Sequence, residues 1–167
     1  MAAKADMNLD RVIADDELLV QRTFDAPVAL VFRLWESRDH MIRWWGPETH
    51  TTIELDWEMT PGRPWQAAMT SKQFGLSRCG GVIKEVEKNR RIVFSFKWDP
   101  SSGENIDTLV TVTFAERNGK TIQTFHQTPF STVASRDSHI GGWNSLFNKE
   151  QLYAENCAIA EQKGLRT

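Results

Sequence analysis

The segment Arg43-Trp44-Trp45-Gly46-Pro47 restricts what this chain can fold into more than any other part of it. Two large rings stand side by side, directly before a helix breaker. Successive helical residues point about 100° apart, so the spacing predicts that one ring packs inward while the other shields a neighbouring surface or an opening. Gly46-Pro47 stops the helix, because a proline disfavours the α conformation in the residue before it. Two uses fit such a pair: a core corner that closes a helix against a sheet, or a lid over a ligand cavity.

The rest of the chain supplies a core for these rings to join. It has 167 residues, of which seven are tryptophan, and is 40% hydrophobic and 25% charged. That length suits one domain, and that composition excludes a largely disordered chain, a collagen and a disulfide scaffold. The net charge of −2 comes without a basic stripe, so nucleic acid is not expected as a partner. No apolar run approaches the roughly 20 residues that span a bilayer, and no membrane partner is expected. Residues 1–16 lack a signal-peptide core and read as a polar leader, followed by one domain over 17–162 and a short tail over 163–167. Cys79 and Cys157 lack metal-ligand spacing and read as free thiols, which points to a bacterial cytoplasmic protein.

Glu17 to Phe24 reads as a strand with Leu18, Val20 and Phe24 on one face. Asp25 or Ala26 caps a helix that starts near Pro27 and carries Leu30, Val31, Leu34 and Trp35 inward. Ser37 opens a second short helix with Asp39 in its first turn, ending at the tryptophan pair. The period then changes to two. Ile53, Leu55, Trp57 and Met59 alternate with acidic residues, and Trp65, Ala67 and Met69 follow the Pro61-Gly62 turn. Ser77 to Val86 is a strand in which Gly80-Gly81 marks a bulge or bend. Ile92, Phe94, Phe96 and Trp98 form the inward face of the next strand. Leu109 to Phe114 and Thr121 to Gln127 join at Asn118-Gly119, a strong two-residue hairpin signal. A long helix follows from about Ser138 to Gln162, capped by Asp137 or Ser138, with His139, Trp143, Leu146, Phe147, Tyr153 and Cys157 on one stripe. The expected order is β-α-α-β-β-β-β-β-β-α, an α+β fold in which a curved antiparallel sheet wraps a long C-terminal helix.

Phe24-Asp25-Ala26-Pro27 with Val31-Phe32, then Arg43-Trp44-Trp45-Gly46-Pro47, then Gly141-Gly142-Trp143, resemble the START-like (SRPBCC) superfamily. Within it the chain is similar to the branch named after the activator of heat-shock-protein-90 ATPase, over residues 18–153. The resemblance implies a helix-grip fold with a mostly apolar cavity under the C-terminal helix. The superfamily includes small-molecule binders, lipid carriers, hormone receptors and polyketide cyclases, so it does not choose a function. The chain departs from the pattern at two places. Glu150 stands where the helix stripe is usually apolar, and Ala67-Ala68 stand where the strand is usually more aromatic. Inward alanines there would enlarge a cavity.

Glu150 shares a helix face with Trp143 and Tyr153 and is the leading polar candidate, either inside the cavity or at the solvent edge of the stripe. His126 and His139 form a candidate pair that could meet across the loop before the last helix; with Glu150 they would make a metal trio, but their spacing matches no metal motif, and no metal is expected. Arg22 alternates with apolar residues and is expected to pair with an acid. No nucleophile elbow and no phosphate or dinucleotide loop is present, and no cofactor is expected. The candidate cavity residues are Trp44, Trp45, Trp57, Trp65, Ala67, Met69, Phe94, Phe96, Trp98, His126, His139, Trp143, Phe147, Glu150 and Tyr153.

These residues favour a binding module for an apolar or amphipathic small molecule, as a monomer or a modest homodimer. The alternatives are a cyclase, dehydratase or hydrolase using Glu150, a histidine or Tyr153 as acid or base, and a co-chaperone-like interaction domain.

Overall fold

Alternating apolar residues become strands where the period of two predicts them, and the computed structural model describes residues 13–165. The elements are β1 (Leu18–Phe24), α1 (Val28–Glu36), α2 (Arg38–Met41), β2 (Thr51–Asp56), β3 (Pro64–Ser71), β4 (Gly75–Glu87), β5 (Arg91–Trp98), β6 (Thr108–Arg117), β7 (Lys120–Thr128) and α3 (Val133–Gln162). The seven strands make one curled antiparallel sheet in the order β1-β7-β6-β5-β4-β3-β2. The long helix α3 lies in its grip, with Trp143 and Phe147 against Phe125 of β7. This is the helix-grip fold in the element order expected from the sequence.

Local sequence sets the corners. Arg117 and Lys120 pair directly, leaving Asn118 and Gly119 at φ 54° and 77° as the whole turn. Positive φ at both central residues is what a type I′ hairpin demands, and Asn-Gly meets it at little cost. The tryptophan pair behaves differently from the helical expectation. Helix α2 ends at Met41, and Trp44 and Trp45 lie in and just beyond the turn that follows. Freed from helical spacing, both rings turn inward, at 0% and 1% exposure. Gly46, at φ 90°, then redirects the chain, and its missing side chain admits the Met69 sulfur.

Four further expectations are corrected. Pro27 is itself the N-cap of α1, without a side-chain cap from Asp25 or Ala26. Helix α3 begins at Val133 rather than near Ser138, because the Thr132 hydroxyl accepts from the Ser135 N–H at 3.0 Å. In β2 a register shift between Thr52 and Glu54 turns Ile53 outward, to 51% exposure, before Leu55 and Trp57 resume the inward face. Gly80-Gly81 keeps its register with β5, and the shift falls later, between Ile83 and Glu85. The two glycines instead permit close approach. A Cβ on Gly81 would lie 1.9 Å from the Ser95 carbonyl oxygen. That oxygen accepts the Trp65 indole N–H, and the Ser95 hydroxyl accepts the Val82 N–H.

Two glycine substitutions therefore have opposite expected signs. Gly81→Ala forces backbone atoms apart and should cost about 2–4 kcal/mol. Gly141→Ala adds its methyl to open space on an exposed helical position and should gain about 0.5–1 kcal/mol. Urea denaturation of the two variants checks both; a stable Gly81→Ala would contradict the close approach.

Candidate functional site

Between the first half of α3 and strands β3 to β5, the grip leaves a cavity of about 760 Å³. Its deep wall is Trp45, Met69, Cys79, Phe96, Trp98, Trp143 and Leu146, all apolar or weakly polar. Each element supplies its share by its own period. Phe96 and Trp98 alternate on β5, Met69 ends the inward face of β3, and Trp143 and Leu146 stand three apart on α3. The rings form a continuous edge-to-face series. Trp45 meets Trp143 at 5.6 Å and 75°, Trp143 meets Phe96 at 5.7 Å and 67°, and Phe96 meets Trp98 at 5.3 Å and 86°. Such pairs contribute about 0.5–1.5 kcal/mol each beyond burial. The rim is more polar, carrying His50, Ser77, Ser102, Glu104, Ser135 and Ser138. Phe74, 67% exposed at the β3–β4 tip, stacks on His50 there.

Of the residues singled out from the sequence, Trp45, Met69, Phe96, Trp98, His139 and Trp143 border this cavity. Trp44, Trp57, Trp65, Phe94, Phe147 and Ala67 are buried in the core away from it. The reason is α1. It sets Trp35 over the other end of the sheet, where Trp44 and Phe94 approach its ring to 5.0 and 6.2 Å. Ala67 and Ala68 are both buried, but neither borders the cavity, so they do not enlarge it. On β3 the bulky Trp65, two residues from Ala67 on the same face, fills that region.

Glu150 is fully buried, which rules out the solvent-edge alternative, yet it is not part of the cavity wall. Its Oε2 accepts the Trp35 indole N–H at 2.9 Å, and its Oε1 accepts the Gln123 amide at 2.9 Å. Those two donors favour the ionised form, but complete burial outweighs them and pushes its pKa up to about 8. Burial thus favours its protonated form at neutral pH, against the pull of those donors and of the Arg22 charge. Trp35 and Gln123 were not foreseeable as its partners; the only signal was a buried glutamine on the inward face of β7.

The histidines do not converge. His139 donates from Nδ1 to the Ser135 carbonyl at 2.7 Å, and its Nε2 accepts the Trp98 indole N–H at 2.9 Å. Both ring nitrogens are thereby engaged, and the tautomer is fixed. His126 pairs with Glu17 at 2.9 Å, and Tyr153 hydrogen-bonds His40 at 2.7 Å, both outside the cavity wall. His126, His139 and Glu150 each bond to different partners, and among the described residues no group of three His, Cys, Asp or Glu side chains is placed to hold a metal ion. Among the described residues Arg22 bonds to amides rather than to an acid, donating to the side-chain oxygens of Asn144, Asn148 and Gln151 on α3, while its charge acts on Glu150 without a direct bond.

Sequence reasoning also missed how the rim is held. Lys149 donates to the Trp45 and Gly46 carbonyls at 3.2 and 3.1 Å. Ser145 accepts from the Glu48 N–H at 2.8 Å, and Asn148 donates to the Glu48 carboxylate at 2.8 Å. Burial holds the Lys149 pKa below the usual lysine range. The signal was present as polar residues at 145, 148 and 149, one patch of a helix face.

A curled antiparallel sheet gripping one long helix, with a cavity beneath that helix, defines the START-like class. Residues 25–154 match the family described as Activator of Hsp90 ATPase homolog 1-like protein, and the chain belongs to that family. No curated protein is detectably similar in sequence. Among solved structures, a protein from Chromobacterium violaceum is similar at 18% identity and TM-score 0.77, covering 85% of this chain and 99% of that one. An AHSA1 protein from Silicibacter pomeroyi is similar at 21% identity and TM-score 0.73, covering 84% and 97%. A Staphylococcus epidermidis protein solved by NMR in solution is similar at 21% identity and TM-score 0.73, covering 89% and 94%. At these identities the likeness is one of fold.

The buried acid makes a pH prediction. The native carboxyl keeps its proton up to about pH 8, whereas an unfolded glutamate releases it near its ordinary value of about 4.3. Unfolding between those values releases a proton, so Glu150 lowers stability progressively as pH rises through that window. Glu150→Gln retains the volume and a hydrogen-bonding end but cannot ionise. Its stability relative to wild type should rise steadily from pH 5 to pH 8, by a few kcal/mol in all. Denaturation midpoints across that range check it; a pH-independent difference would mean that Glu150 is ionised in the native state.

Proposed function

We propose that this protein binds a small apolar or amphipathic molecule in the cavity between the sheet and α3. The observation that carries this reading is the cavity itself. At about 760 Å³ it falls within the range that holds drug-sized ligands, and it joins an aromatic wall to a rim of hydroxyls. The same reading favours binding over catalysis. The acid with the most perturbed pKa, Glu150, faces Trp35 and Gln123 instead of the cavity, and His139 has both nitrogens engaged. No helix among the described residues is long and apolar enough to cross a membrane.

Gly142 borders the cavity, and a Cβ there would meet nothing within 4 Å. Gly142→Phe should place a ring in the void while improving helix propensity by a few tenths of a kcal/mol. The expected outcome is a thermal midpoint at or above that of the native sequence, with at least tenfold weaker binding of 2-naphthamide by tryptophan fluorescence. Native mass spectrometry of protein from a cell extract, paired with a denatured run, should show a retained small mass in the native sequence and none in the variant. Undiminished binding by Gly142→Phe would place the ligand elsewhere.

A further inference from the structure

Resting on the binding reading above, we infer that the cavity takes an uncharged or cationic aromatic molecule and rejects carboxylates, sulfates and phosphates. The argument is the charge of its lining. Among the described residues that border it, none is lysine or arginine, and the one carboxylate is Glu104 at the mouth. An anion entering there would lose its hydration without meeting a cation, which is the costly case for burial.

The three groups that could supply positive charge are each accounted for. His139 has both ring nitrogens in hydrogen bonds, Nε2 accepting the Trp98 N–H and Nδ1 donating to the Ser135 carbonyl, so neither is turned to a ligand. His50, at the rim, has its pKa lowered by burial and then by nearby Lys149, which keeps the imidazole neutral at pH 7. Lys149 itself points at the Trp45 and Gly46 carbonyls and is not part of the lining. The start of α3 also faces the opening, and a helix N-terminus attracts anions. There Thr132 takes the Ser135 N–H, and Ser131 donates to Glu104 at 2.7 Å, which sets a competing carboxylate beside the first turn.

The wall adds a positive preference. Trp45, Trp143, Phe96 and Trp98 line the cavity with aromatic surface, and an indole attracts a cation held over its face within about 6 Å of its centre. Indole N–H groups offer little to an anion here: those of Trp98 and Trp143 donate to His139 and Gln127, and that of Trp45, which has no acceptor, is buried beneath the wall's surface.

Three probes of one size decide it: 2-naphthamide, 2-naphthylmethylammonium and 2-naphthoate, titrated at pH 7 by tryptophan fluorescence. The amide and the ammonium should bind, and the carboxylate at least tenfold more weakly. Glu104→Gln should shift the two charged probes in opposite directions by about two- to threefold, the carboxylate gaining and the ammonium losing, with the effect fading in high salt. A carboxylate that binds as well as the amide, with both displaced by Gly142→Phe, would overturn the charge selection and leave the binding reading intact. Failure of all three probes would count against the binding reading itself.

Discussion

Seven indoles in a small domain impose one constraint on everything else: each must bury a large ring and still find an acceptor for its N–H. Six do so. Trp44 and Trp57 donate to the Leu34 and Trp35 carbonyls, and Trp65 donates to the Ser95 carbonyl. Trp35, Trp98 and Trp143 donate to the side chains of Glu150, His139 and Gln127. These bonds fix the rings in orientation as well as position. They tie α1 to the residue that follows β2 and to α3, β3 to β5, and both β5 and β7 to α3. Trp45 is the exception: its N–H is buried without an acceptor, ringed by Trp44, Trp57, Trp65 and Trp143 at 5.6 to 6.3 Å. A buried, unpaired N–H costs about 1–3 kcal/mol, which the aromatic contacts on several sides offset.

The indoles divide into two groups with different consequences. Around Trp35 the interior is closed, and its polar atoms are satisfied by Gln123 and Glu150. Around Trp98 and Trp143 the interior is open, and the same chemistry of satisfied N–H groups lines a void. Helix α1 makes the difference. It covers the sheet at the Trp35 end, and among the described residues no equivalent element covers β3 to β5 at the other end. A carboxyl on α3 is thus tolerated at position 150, where Trp35 and Gln123 donate to it, and would have had none of these partners one or two turns earlier.

How much of this was legible follows from the range of each signal. Period-two alternation, Asn118-Gly119 and the Trp44-Trp45-Gly46-Pro47 punctuation are local, and they specified the succession of elements, the last hairpin and the break after α2, but not the pairing of β1 with β7. The capping of α3 by Thr132 was hidden because the first turn, Val133 to Arg136, carries no helical apolar stripe. Ile53 broke its alternation at a bulge, which one residue of register decides and no propensity announces. The contact of Trp35, Gln123 and Glu150 joins residues separated by 88 and 27 positions, and only the closed fold brings them together. The family resemblance placed a cavity under the helix. It did not say which inward aromatics line the void and which fill the core, because that depends on where α1 stops.

A cavity in a domain built to collapse needs something that prevents collapse, since lost contacts around a void cost stability. Here the rings that could swing inward are pinned. Trp98 is held by His139, and a Cβ on Gly103 would meet its ring at 2.9 Å. Trp143 is held by Gln127, which donates to Thr108, which donates to the Phe96 carbonyl, at 2.8 to 2.9 Å throughout. The chain of bonds runs from α3 through β7 and β6 to β5, so moving one indole means breaking ladder-bound partners on three strands. On the opposite side, α3 presents Ser135, Ser138 and Gly142, which are too small to fill the space. Lys149, Asn148 and Ser145 hold the Trp45–Glu48 rim in place. Collapse is therefore opposed by hydrogen bonds that closing the void would sacrifice, at about 1 kcal/mol or more apiece once a donor is left unpaired. The void persists because this hydrogen-bonded network holds its aromatic wall in place, and such rigidity is the pre-organisation that the proposed binding would draw on.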